Sequence, residues 1–135
     1  MQNLIYALIQ VIHNFGAATV VGTATAAIWL AHGNAGVRHR LSLLLALAWA
    51  TQAVSGLLFG ATTYYFDKSL PDIHGIAVDA LVIKIVCALT GFILAIVYMK
   101  FHSGWSAGKQ FFAWRITLVL GVVALSSAAF LRWFS

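Results

Sequence analysis

Residues 76–98 read IAVDALVIKIVCALTGFILAIVY, an apolar run interrupted by only two ionisable side chains, Asp79 and Lys84. A helix rises about 1.5 Å per residue, so about 20 such residues cross the roughly 30 Å hydrocarbon core of a bilayer. Lys84 falls near the middle of that run. A charge at that depth costs a few kcal/mol on insertion scales, so an ionisable group inside a span marks a function by default.

The rest of the chain follows the same pattern. Of its 135 residues 62% are hydrophobic and only 8% charged, well away from the even balance of a water-soluble domain. Apolar runs of spanning length fall at roughly residues 4–30, 41–59, 73–99 and 114–133. They predict an all-α integral membrane protein, a four-helix antiparallel bundle forming one transmembrane domain over residues 1–135. The first run is preceded by no Lys or Arg and extends far past a signal-peptide apolar core, so it is read as retained. Cys87 is the only cysteine, which excludes an internal disulfide, a Cys-x-x-Cys pair and covalent c-type haem attachment.

The net charge of +5 does not form a nucleic-acid stripe, because the basic residues sort by membrane side. Arg38 and Arg40 lie between spans one and two, and Lys100, Lys109 and Arg115 between spans three and four; Lys68 and Arg132 fall opposite. The positive-inside rule places both basic loops in the cytoplasm and both termini outside. Tyr64, Tyr65, Phe66, Trp133 and Phe134 mark the outer interface, and Trp29, Trp105, Phe111, Phe112 and Trp114 the inner one. Ser69-Leu70-Pro71-Asp72 reads as the start of the third helix, with Ser69 as cap, Pro71 in the first turn and Asp72 at the positive end of the dipole. Ala18, Gly22 and Ala26, and Gly56 with Gly60, recur every four residues, a spacing that lets helices approach closely in lipid.

Depth makes the polar residues converge. Spans one and three run in the same direction, and counting from their midpoints puts His13 about 5 Å, Asp79 about 10 Å and Lys84 about 2 Å to the outer side, with His74 higher still. Gln10, Asn14, Ser55, Ser126 and Ser127 share that half. Each has a plainer reading. Lys84 can extend toward a backbone carbonyl, although Asp79, five residues away, sits about 140° around the helix. Asp79 can line a hydrated cleft, and His74 can be an ordinary interfacial histidine. His32, His39 and His102 belong to the basic loops. No hydrolase triad, zinc motif or phosphate loop is present.

The order of His13-Asn14-Phe15-Gly16 through Gly22, then Ser55-Gly56-Leu57-Leu58, then Leu81-Val82-Ile83-Lys84 resembles the copper resistance protein D (CopD)-like family of four-helix membrane domains, over most of the chain. The resemblance implies a bacterial inner-membrane protein linked to copper handling, with relatives of this architecture that look like b-type cytochromes. Haem b needs two axial nitrogens and an apolar pocket. His13 and His74 are the ligand candidates, with Asp79 tuning or orienting the site and Lys84 answering a haem propionate, a quinone oxygen or Asp79. The expected role is electron transfer between a quinone or membrane partner and an outer-face acceptor, rather than a stand-alone enzyme. Two alternatives stand beside it. One is copper transport or homeostasis, for which the soft ligands are Met1, Met99 and Cys87 with the histidines; the other is a non-catalytic accessory subunit of a larger membrane complex.

The charge asymmetry has a direct test. Single cysteines at Gly36 and Ser106, introduced into a Cys87→Ser background, should resist an impermeant thiol reagent added from outside, and one at Ser69 should react. Labelling at Gly36 but not at Ser69 would invert the topology.

Overall fold

The computed structural model describes residues 1–69 and 72–134. Four helices account for nearly all of them: α1 (Gln2–Trp29), α2 (Ala35–Asp67), α3 (Ile76–Phe101) and α4 (Ala107–Phe134), with a single 3₁₀ turn, His102–Gly104, between the last two. Each is long and apolar enough to cross a membrane. Lipid dictates this choice: no water is available to satisfy stray N–H and C=O groups, and a helix closes all of its hydrogen bonds within itself.

The helices outrun the apolar stretches that announce them, because polar residues at interfacial depth continue a helix once it is capped. In α2, Asn34 Oδ1 accepts from Val37 N at 3.0 Å, which extends the helix back through Arg38 and Arg40. At its far end Lys68 adopts a left-handed conformation with φ 54, and its N–H returns to Tyr64 O at 3.1 Å. The 33 residues of α2 span about 50 Å. In α4, Ser106 Oγ accepts from Lys109 N at 3.3 Å, so the helix starts seven residues ahead of the expected span. The third helix begins later than expected, at Ile76 behind Gly75, whose φ of 53 is one that glycine adopts without strain. Ser69 therefore does not cap it. The expected roles of Leu70 and Pro71 lie outside the described residues.

Packing runs around the ring, α1 with α2, α2 with α3, α3 with α4 and α4 with α1. Each helix turns one narrow stripe inward. That of α3 is Ala77, Ala80, Cys87, Gly91, Ala95 and Tyr98, spaced by threes and fours as one helical face requires, and Lys84 lies in register with it. The stripe of α1 is Ile9, His13, Gly16, Val20 and onward to Ala27. Side chains meet along α1 and α2 in a fixed register: Gln2 with Asp67, Tyr6 with Thr63 at 2.8 Å, and His13 with Ser55 at 2.7 Å.

The apolar core fills only one half of the bundle, toward the end that carries Arg38, Arg40, Lys100, Lys109 and Arg115, here called the basic end. Its members are Val20, Ala24 and Ile28 from α1, Leu45 and Trp49 from α2, Ala95 and Tyr98 from α3, and Trp114 from α4, among others. Glycine makes the fit possible at Gly91, where an added Cβ would fall inside the Trp49 indole, and at Gly121, where it would lie 3.0 Å from Val20 Cγ1. The small residues picked out by sequence spacing are elsewhere: Gly22, Gly56 and Gly60 have nothing within 4 Å of an added Cβ. They face outward because the stripes that contain them are rotated from those the bundle buries.

Gly91→Ala should therefore destabilise the protein by about 1–3 kcal/mol, since Trp49 is fully buried and must shift. Gly56→Ala should be neutral or slightly stabilising, because alanine is the better helix former. Thermal unfolding of the two variants in one detergent separates them, and equal effects would refute the packing assignment.

Candidate functional site

In the half of the bundle away from the basic end, burial is sparse and largely polar. His13 is 7% exposed and Ser55 1% exposed. Lys84, half-buried on α3, reaches across to α1 and places Nζ 2.8 Å from His13 Nε2. The other ring nitrogen, Nδ1, lies 2.7 Å from Ser55 Oγ, and Ser55 Oγ donates to Thr51 O at 2.5 Å.

Donor counting orients this chain. Ser55 has one proton; with that proton on the Thr51 carbonyl its oxygen accepts from His13, which assigns the imidazole proton to Nδ1. Nε2 then presents a lone pair, and the Lys84 ammonium donates to it. The hydrogen bonds run in one direction, from Lys84 through the imidazole to Ser55 and the α2 backbone. Gln52 Nε2 donates to His13 O at 2.5 Å, fixing the α1 backbone beside the ring. Gly16 makes room for that amide, since a Cβ there would come within 2.6 Å of Gln52 Nε2. Phe59 meets the imidazole edge to face at 5.7 Å, and Tyr6 stacks on Phe59 at 6.4 Å.

The structure thus brings together two of the four residues singled out by sequence, His13 and Lys84. His74 is 83% exposed and pairs with Asp72 at 2.5 Å. Asp79 is exposed on the first turn of α3 and makes no ion pair with Lys84; the two point to different sides of the helix. Depth places Ser55 in the correct half but assigns it no role. Polarity alone does not single out Gln52; its signal is that it lies three residues before Ser55 and three after Trp49, on the buried face of α2.

This arrangement does not fit haem. Both His13 nitrogens are engaged within the chain, and His74 is turned to the exterior. The 340 Å³ groove between α1 and α2, lined by Val11, Phe15 and Thr51 among others, includes neither imidazole. For copper, no three His, Cys, Asp or Glu side chains converge among the described residues. Cys87 is buried alone on α3, and Met99 packs against the core toward the basic end. Comparison with protein-family models, with curated proteins and with solved structures finds no match.

The Lys84–His13 contact predicts asymmetric stability effects. Lys84→Met removes a charge from lipid and should be neutral or stabilising. His13→Leu leaves the ammonium without its acceptor and should cost about 1–3 kcal/mol. The double variant should recover most of that loss, because replacing both partners by apolar groups is close to neutral. Additive effects in this cycle, read by thermal unfolding, would show that the two residues do not interact.

Proposed function

We propose that this chain is a CopD-like multi-pass protein of the bacterial inner membrane, an antiparallel bundle with both termini extracytoplasmic. It works as a proton-holding element in an electron-transfer or transport system. One observation carries the reading: an amine and an imidazole at hydrogen-bond distance, 2.8 Å, within membrane-spanning helices. The pair shares one excess proton, held either as the Lys84 ammonium or as the His13 imidazolium, and the site carries a single positive charge in both forms. Losing that proton outward neutralises the site and regaining it restores the charge. A buried site that changes charge in this way couples naturally to the passage of an electron or ion.

The basic loops support the orientation by the positive-inside rule, and the α1–α2 side-chain register supports the antiparallel arrangement. In this reading His13 serves the proton, and the redox centre or transported ion, with any quinone, belongs to a partner in a larger membrane complex. The cytochrome reading, with His13 and His74 as haem ligands and Asp79 nearby, would require His13 to give up Lys84 and His74 to leave Asp72.

Titration of the purified protein in nanodiscs, followed through the imidazole NMR signals of His13, provides the test. The wild-type protein should take up and release one proton at the His13–Lys84 site as the bulk pH is changed, and Lys84→Met should alter the His13 titration while remaining as stable as the parent. Increased stability with an unchanged His13 titration in Lys84→Met would refute the proposal. A reduced b-type absorption spectrum from the purified protein, abolished by His13→Ala and by His74→Ala, would instead establish the haem reading.

A further inference from the structure

The basic end holds a second polar assembly that the proton site does not use. Gln110 of α4 accepts from Arg38 Nη2 at 3.2 Å and from Tyr98 OH at 3.3 Å, and donates to His102 O at 2.8 Å and Trp105 O at 3.1 Å. His102 stacks on His39 at 5.2 Å and on Tyr98 at 5.2 Å. These contacts seat the Arg38 guanidinium in the seam between the start of α2 and the α3–α4 turn. It is half-buried, its Nε is buried with no acceptor, and among the described residues its one partner is a neutral amide.

No carboxylate is available to neutralise it. The chain has three, Asp67, Asp72 and Asp79. Asp67 closes the opposite end of α2, about 44 Å along the helix from Arg38, and the other two lie at the start of α3, whose last turn is the one near Arg38. Among the described residues the one ion pair is His74 with Asp72. The same end of the bundle carries further cations on aromatic rings, with Lys109 over Trp105 at 4.4 Å and Arg115 over Phe111 at 4.6 Å. A half-buried charge calls for a counter-ion, and at the rim of a bilayer the abundant anion is the phosphodiester of a lipid headgroup, which an arginine fork receives in bidentate fashion.

We propose that Arg38, oriented by Gln110 and flanked by His39 and His102, binds the phosphodiester of an acidic phospholipid at this seam. The inference rests on the chain spanning a membrane but not on the proton site, so Lys84→Met should bind the lipid as the parent does. Native mass spectrometry of the detergent-purified protein, titrated with phosphatidylglycerol or phosphatidylcholine near physiological salt, gives the readout. Phosphatidylglycerol should bind more tightly than phosphatidylcholine. Arg38→Gln should lower that preference about thirtyfold, as for a hydrogen bond to a charged group. Arg40→Gln, exposed at the same end, should lower it no more than about fivefold, as for any rim cation. Equal losses in the two variants, or an intact preference in Arg38→Gln, would overturn the site. Should Arg38→Gln not survive extraction, Arg38→Lys decides: the charge is kept and the fork lost, and an undiminished preference refutes the assignment. Displacement of the lipid by inorganic phosphate at equal concentration would show a free-phosphate site and overturn the lipid assignment.

Discussion

An ammonium group inside a bilayer must be answered by something other than water, and in this protein the answer is one imidazole nitrogen. The arrangement around His13 follows from that need. With Lys84 donating to Nε2, the ring proton is assigned to Nδ1 and Ser55 is the acceptor. Ser55 in turn releases its own proton to the α2 backbone. Three helices are therefore joined by one directional chain, and Gly16 and Gln52 exist at their positions to hold the middle of it in place. Removing His13 leaves the Lys84 ammonium without its acceptor, whereas removing Lys84 takes the charge out of the site altogether.

The two ends of the bundle solve different problems with similar means. At the basic end a single amide, Gln110, satisfies four groups from α2, α3 and the α3–α4 turn. Gln110 closes the bundle where its apolar packing is already densest, whereas the His13 chain holds helices together where such packing is thin. Polar contacts between membrane helices each contribute modestly, about 1 kcal/mol, so the core around Trp49 and Trp114 remains the main source of cohesion.

The spans could be read from the sequence because lipid allows a spanning segment to be little else but a helix. Their ends were less legible: Arg38, Arg40 and Lys109 look like loop residues by polarity, yet caps at Asn34 and Ser106 carry helix through them. Helix rotation was not legible from small residues, since nearly every face is apolar and Gly22 or Gly56 is as plausible a contact as Gly91. Lys84 announced itself by its cost, and His13 by lying at a similar depth. His74 drew attention only because histidine is a common ligand; nothing in its spacing revealed that it would turn outward to Asp72. Gln52 and Ser55 were hard to assign because their side chains satisfy backbone groups as often as they serve a site.

The one-sided core has a mechanical consequence. With Trp49 wedged against Gly91 and the large side chains gathered toward the basic end, the four helices are clamped at one end and held at the other by a few hydrogen bonds and the Tyr6–Phe59 stack. The assembly resembles a tuning fork, with its stem at the basic end and its tines at the end that carries Tyr6, Phe59 and Thr63. A change of charge at the base of the tines, where Lys84 meets His13, would splay the tips, the last turn of α2 and the first turn of α3, and leave the stem as it is.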